Sequence, residues 1–180
     1  NQIAIAGLVQ GLAEAVKHAL ILDAEYGRWI AGQQEALARR DLDVLTTLIE
    51  RSVRLKAAVV EADEHERGER AILNAGHTIA HALESATGYG ALLHGEAVAL
   101  GMRGAAEISR RLDLLDAATV QRQNACLGAF GLPSRVTELG IPAPSVEAVL
   151  AAMALDKKVR SRAIRWVLLE GVGRTAIRSD

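Results

Sequence analysis

The stretch from Glu66 to Glu84, ERGERAILNAGHTIAHALE, constrains this chain more than any other. Placed on a helix at 100° per residue, Arg70, Asn74, His77, His81 and Glu84 fall within an arc of about 80°. Ala71, Ala75, Ile79, Ala82 and Leu83 lie opposite them and form a small, apolar packing face. A solvated face would mix Lys, Glu, Gln and Arg. Two imidazoles, an amide, a guanidinium and a carboxylate in one stripe read as a site. The expectation is one continuous helix, entered through a turn at Gly68.

The rest of the composition supports a helical setting. At 180 residues the chain is one domain, or one large domain with appendages, and long enough to bury a core. Half of its residues are hydrophobic but only 3% are aromatic, and alanine and leucine dominate. That mix favours helices over a sandwich or barrel. A net charge of -1 gives no electrostatic case for nucleic acid or an anionic membrane. The single cysteine, Cys126, excludes an internal disulfide framework and fits a reducing compartment. No run approaches the roughly 18 apolar residues of a membrane span, and the start lacks a charged segment leading into an apolar run. A cytoplasmic location is expected. The start, NQIAIAGLVQGLAE, enters a helix without a leading strand or cap, as a chain would if something preceded it.

Taken in order, a first helix is expected to begin between Gly7 and Gly11 and run through AEAVKHALILDAEYGRWI. Glu14, Lys17 and His18 share one of its faces, and spacing alone reads as an ordinary Glu–Lys surface pair. Asp41 caps a second long helix, whose expected buried stripe is Leu42, Leu45, Leu48, Ile49, Val53 and Leu55. Its end is the charged turn DEHERGER, most of it read as solvated. The loop ATGYGALLHG delivers His94 to the start of a glycine- and alanine-rich helix, which reads as central and tightly packed. Asp116 or Thr119 caps the next helix, which closes near Phe130 and Gly131, and Ser145 caps VEAVLAAMALD. After DKKVRSR, the alternation of Ile164, Trp166 and Leu168 with Arg165 and Val167 reads as a strand, one arm of a hairpin.

The chemistry concentrates around histidine. Of five in the chain, His77, His81 and His94 lie within 18 residues of one another. A histidine pair at i, i+4 with a third returning through a loop suits a metal or catalytic site. Catalytic Zn²⁺ takes three protein ligands and keeps one position open, and two histidines with a carboxylate would serve. Both Glu14 and Glu84 are available as that carboxylate. Lys17, Lys56, Arg70, Lys157 and Lys158 could hold an anionic substrate. Cys126 shows no partner arrangement for a thiolate nucleophile. No Gly-rich phosphate loop follows a strand, so the chain has no nucleotide-binding signature of its own.

Several blocks occur in the order of a known family: GLAEAVK at 11–17, LKAAVVEADEHERGERAILNAGHTIAHALE at 55–84, YGALLHGEAVALGM at 89–102, GLP at 131–133, and DKKV at 156–159 followed by IRWVLLEGVG. The chain resembles the C-terminal, metal-binding domain of 3-dehydroquinate synthases, over essentially its whole length from Gly11. NxGHTxxHAxE followed by HGExV carries the specificity. Ala80 replaces the usual glycine of the family's GHTxGH, and RSRAIRW lacks a glycine common there.

The resemblance implies a mainly α, multi-helix domain with a small β element near its end, covering residues 1–180. It places an NAD-binding domain before residue 1. It makes Glu14, His77 and His94 the ligands of Zn²⁺ or Co²⁺. His81 becomes a substrate-site residue, Lys17, Lys56, Arg70 and Asn74 substrate-binding residues, and Glu66 a carboxylate of the site. Lys157 or Lys158 would stand near the substrate phosphate or carboxylate. The implied reaction is that of a phosphorus–oxygen lyase of the shikimate pathway. A phosphorylated seven-carbon sugar acid, 3-deoxy-D-arabino-heptulosonate 7-phosphate, is transiently oxidised by NAD⁺, loses phosphate, is reduced again and closes by an intramolecular aldol step. A homodimer is an expected partner state, and the isolated domain is expected to be inactive. The rival readings are another sugar phosphate cyclase, making 2-deoxy-scyllo-inosose, a valiolone or aminodehydroquinate; a metal-dependent polyol dehydrogenase, which lacks the LNxGHT and DKK blocks together; and a non-catalytic helical interaction module.

Overall fold

The computed structural model describes residues 2–65, 68–160 and 164–179, with side chains described except at 2–6, 9 and 156–160. In order these form α1 (Gln2–Leu22), α2 (Ala24–Ala31), α3 (Gln34–Ala38), α4 (Leu42–Ala62), a 3₁₀ turn (Glu69–Asn74), α5 (His77–Thr87), α6 (His94–Arg111), α7 (Ala117–Ala129), a second 3₁₀ turn (Val136–Leu139), α8 (Val146–Arg160) and the antiparallel strands β1 (Arg165–Gly171) and β2 (Arg174–Ser179). The expected helical domain with a small C-terminal β element is what these residues build.

Small residues set the packing. Helix α6 buries Gly95, Ala97, Ala99, Gly101 and Ala105, so neighbouring backbones approach it closely. An added Cβ at Gly95 would lie 2.5 Å from Gln10 Cα, which fixes where α1 crosses α6. At Gly101 a Cβ would strike the Gly76 carbonyl oxygen and stand 3.1 Å from Ala80 N, which fixes α5 against the same helix. Val16, Tyr26, Val98 and Leu127 lie fully buried in the core between α1, α2, α6 and α7. Gln123 of α7 donates to Met102 O at 3.0 Å, and Leu169 N of β1 donates to Ser109 Oγ of α6 at 3.1 Å.

Several local expectations change. The helix expected across Glu66–Glu84 is broken: a 3₁₀ turn ends at Asn74, Gly76 adopts φ +79°, and α5 begins only at His77. The cause is the crossing with α6, since a Cβ on Gly76 would sit 2.8 Å from Met102 N. Arg70 and Asn74 therefore do not share a helix face with His77, His81 and Glu84. The first long helix is divided at Asp23, which caps α2 by accepting from Tyr26 N at 2.9 Å. In α4, Asp41 caps as expected, but Leu42, Ile49 and Val53 are 77%, 58% and 60% exposed. The covered face is Leu45, Leu48, Ser52 and Leu55, because α4 meets α1 along one narrow strip. In β1, Val167, Leu168 and Leu169 are buried in succession, so both faces are covered and the alternation does not hold.

Helix α1 begins at Gln2 rather than between Gly7 and Gly11, whereas two caps agree with the sequence. Asp116 caps α7, accepting from Thr119 N at 2.6 Å, and Ser145 Oγ accepts from Ala148 N at 3.1 Å. Helix α8 does not stop at Asp156 but carries the DKK segment through Arg160. Strand β1 pairs with β2 through Val167 with Ile177 and Leu168 with Ala176. The connecting turn is tied to α1 by Gly173 N donating to Leu20 O at 2.7 Å.

Candidate metal centre

Three elements converge on one point. Glu14 comes from the middle of α1, His77 is the first residue of α5, and His94 is the first residue of α6. The Gly95–Gln10 crossing brings α1 to the start of α6, and Glu14 lies one helical turn beyond Gln10. The Gly76–Gly101 crossing brings His77 to the same helix. One ligand atom from each of Glu14, His77 and His94 lies within 4.8 Å of the other two.

The protons on these groups are arranged for a cation. His77 Nδ1 is 3.2 Å from Ala75 O, so it carries the proton and donates. Nε2 is left with its lone pair, 3.9 Å from Glu14 Oε1. That oxygen is buried and has no hydrogen-bond partner among the described residues. Two lone-pair carriers facing one another across a gap too long for a hydrogen bond fit a metal ion between them. His94 Nδ1 lies 3.4 Å from Glu84 Oε1, a carboxylate–histidine pairing that leaves its Nε2 free. Of the two carboxylates that spacing left open, Glu14 is therefore the one among the ligand atoms, and Glu84 stands behind His94.

Burial sets the protonation states. The Glu14–Lys17 pair is no surface pair: Lys17 is only 3% exposed, with Nζ 2.7 Å from Glu14 Oε2. Burial pushes the Lys17 ammonium below its usual range, with Glu14 working the other way. Burial would raise the Glu14 carboxyl, but the charge and hydrogen bond of Lys17, with help from His77 and His18, hold it below the usual value. Burial, reinforced by Lys17, brings His77 down to about 4, so the ring is neutral and fit to ligate at physiological pH.

Around the triad, the His81 ring stands 5.6 Å from that of His77, and the His77 and His94 rings 5.3 Å apart. Lys56, on α4, is near enough to repel the Lys17 charge. Arg70 is braced by the charged turn, its guanidinium donating to Glu64 O at 2.8 Å and its backbone N–H to Asp63 Oδ2 at 3.1 Å. Asn74 closes the 3₁₀ turn and is exposed. Glu66 lies outside the described residues, and the Lys157 and Lys158 side chains are likewise not described. Sequence reasoning put His18 on the Glu14–Lys17 face but gave it no part in the site; it is buried beside Glu14 with Nδ1 2.7 Å from Ser52 Oγ. Its i+4 spacing from Glu14 was the one signal available.

The chain is 46% identical to a 3-dehydroquinate synthase of Nitrosospira multiformis and 45% identical to one of Acidithiobacillus ferrooxidans, over 94% of its length in each case. It spans 45% of the length of these relatives. Among solved structures it superposes on a 2-epi-5-epi-valiolone synthase of Streptomyces hygroscopicus with NAD⁺ and Zn²⁺ bound, at a TM-score of 0.83 and 26% identity, covering 96% of this chain and 47% of that one. A 2-deoxy-scyllo-inosose synthase complexed with carbaglucose-6-phosphate, NAD⁺ and Co²⁺ gives a TM-score of 0.79 at 28% identity, covering 97% of this chain and 47% of that one. With residues 11–159 matching the model of the 3-dehydroquinate synthase C-terminal domain, the chain belongs to that family.

Proposed function

We propose that this chain is the metal- and substrate-binding half of a 3-dehydroquinate synthase, which turns 3-deoxy-D-arabino-heptulosonate 7-phosphate into 3-dehydroquinate and inorganic phosphate. One observation carries the reading: Glu14, His77 and His94 offer ligand atoms within 4.8 Å of one another, in a chain 46% identical to a 3-dehydroquinate synthase. Glu14 Oε1 and one ring nitrogen each of His77 and His94 would hold Zn²⁺ or Co²⁺. The ion, when bound, supplies Lewis acidity toward a substrate hydroxyl. NAD⁺ supplies transient oxidation from an N-terminal half that this chain would join.

The remaining residues bind and move protons. Lys17, Lys56 and Arg70 present cations, and Asn74 an amide, to the substrate carboxylate and phosphate. Lys157 and Lys158, at the end of α8, add charge for the same groups, and Glu66 steadies a neighbouring basic side chain. His81 takes a proton from the substrate hydroxyl beside the metal and returns it, a task suited to imidazole. The setting is cytoplasmic and the assembly a homodimer. No helix of the described residues is long and apolar enough to cross a membrane.

The two solved cyclases support a second reading, in which this site takes a different sugar phosphate. Identity favours the first, at 46% against 26% and 28%. The test uses the intact protein with NAD⁺, Zn²⁺ and heptulosonate 7-phosphate. Release of inorganic phosphate, with zinc near one per chain that is lost in His77→Ala, is the expected result. No release, together with turnover of glucose 6-phosphate or sedoheptulose 7-phosphate, overturns it.

A further inference from the structure

A second concavity lies between α1, α2 and α7. It has a volume of about 350 Å³ and apolar walls formed by Val16, Ala19 and Leu20 of α1, Ile30 of α2, Cys126 of α7 and Val172 of the β1–β2 turn. At about 100° per residue, those three α1 side chains face away from Glu14. The cavity and the metal centre are therefore on opposite sides of α1.

Gly27, inside α2, lines this space and leaves it open. Glycine weakens a helix interior, and at Gly95 and Gly101 the close approach of another backbone requires it. No such approach occurs at Gly27, where a Cβ would meet Val172 Cγ1 at 3.6 Å and Ala19 Cβ at 3.9 Å, ordinary packing distances. Arg28 of α2 and Arg122 of α7 also line the cavity, and both are exposed, so they stand at its open side. Arg122 gives one donor to Thr119 Oγ1 at 2.6 Å, of the five that a guanidinium carries. Among the described residues no acidic side chain lines the cavity.

We propose that this cavity binds a small apolar carboxylic acid, with its hydrocarbon body among Val16, Leu20 and Ile30 and its carboxylate held by Arg28 and Arg122. An apolar cavity of about 150 Å³ takes benzene, so this one has room for a ring with a short chain. Removal of that hydrocarbon from water drives binding, and the arginines select a carboxylate through charge-assisted hydrogen bonds.

The test titrates the intact protein with 4-phenylbutyrate and with the uncharged 4-phenylbutanol, by isothermal calorimetry. The acid should bind one-to-one with a Kd below about 1 mM, and the alcohol about tenfold or more weakly. Combining Arg28→Gln with Arg122→Gln should bring the acid to the level of the alcohol. Gly27→Leu, which places a side chain in the cavity, should abolish binding of both probes while the fold persists in urea denaturation. No binding of the acid, or equal binding of acid and alcohol, overturns the proposal. So does a folded Gly27→Leu protein that binds the acid as the parent does. If Gly27→Leu does not fold, the exposed arginine pair decides: weaker acid binding supports the proposal and unchanged binding overturns it.

Discussion

Alanine at Gly95 should loosen the metal centre without touching any ligand. The new Cβ would lie 2.5 Å from Gln10 Cα and 3.1 Å from Gln10 Cβ and Cγ. Carbon atoms rest at about 3.5–4.0 Å, so α1 must recede from α6 by about 1 Å. The obstructing atom belongs to the helix backbone, so no rotamer change relieves it. Glu14 is one turn further along α1 and moves with it, while His94 stays at the start of α6. Metal–ligand distances tolerate about 0.2 Å, so binding must draw the helices together again. Overpacking of this kind costs about 1–3 kcal/mol, which, if borne on binding, weakens Zn²⁺ affinity by about 5–150-fold.

Fold stability should change less, because alanine recovers up to about 1 kcal/mol of helix propensity. Gly11→Ala in α1 is the control, since an added Cβ there finds no neighbouring atom within 4 Å. That substitution should stabilise the chain by about 0.5–1 kcal/mol in urea unfolding and leave Zn²⁺ affinity unchanged. Chelator competition and urea denaturation on both variants provide the readout. A Gly95→Ala protein that binds Zn²⁺ as the parent does and gains stability as Gly11→Ala does would refute the crossing argument.

Two further outcomes follow from a buried tyrosine and a half-buried cysteine away from the centre. Tyr26 is fully buried and its hydroxyl donates to Leu48 O at 2.7 Å, pinning α2 to α4, so Tyr26→Phe should cost about 1 kcal/mol in urea unfolding; no change would mean that packing alone joins the helices. Burial pushes the Cys126 thiol up to about 11, so at pH 8 it stays protonated; its alkylation should run at least about 100-fold slower than that of a free thiol and rise with pH through that value, whereas full labelling within the free-thiol time would remove the buried-thiol account.

Much of the site was legible before any coordinate. His77, His81 and His94 stand out because histidine is scarce and these three are close in sequence. Caps at Asp41, Asp116 and Ser145 were readable too, because a cap is a local hydrogen bond between a side chain and backbone two or three residues on. The Leu42–Ile49–Val53 edge of α4 was misread because apolar spacing says that a face could be buried and not that a neighbour reaches it.

The sequence by itself determined the helical class, the residue types of the centre and the motif blocks, all of which depend on composition and short spacing. Tertiary structure decided which residues meet. The break at Gly76 arises because α6 passes its backbone against it, a contact 25 residues away in the chain. That break removes Arg70 and Asn74 from the histidine face and turns an apparent stripe into residues from two separate elements. Lys17, which spacing alone reads as part of a surface pair, became a buried ammonium bound to Glu14 because α1 is enclosed by its neighbours. The selection of Glu14 over Glu84 at the ligand atoms has the same origin. Two glycine crossings bring α1 and α5 to the start of α6, and no local pattern records the distance between helices.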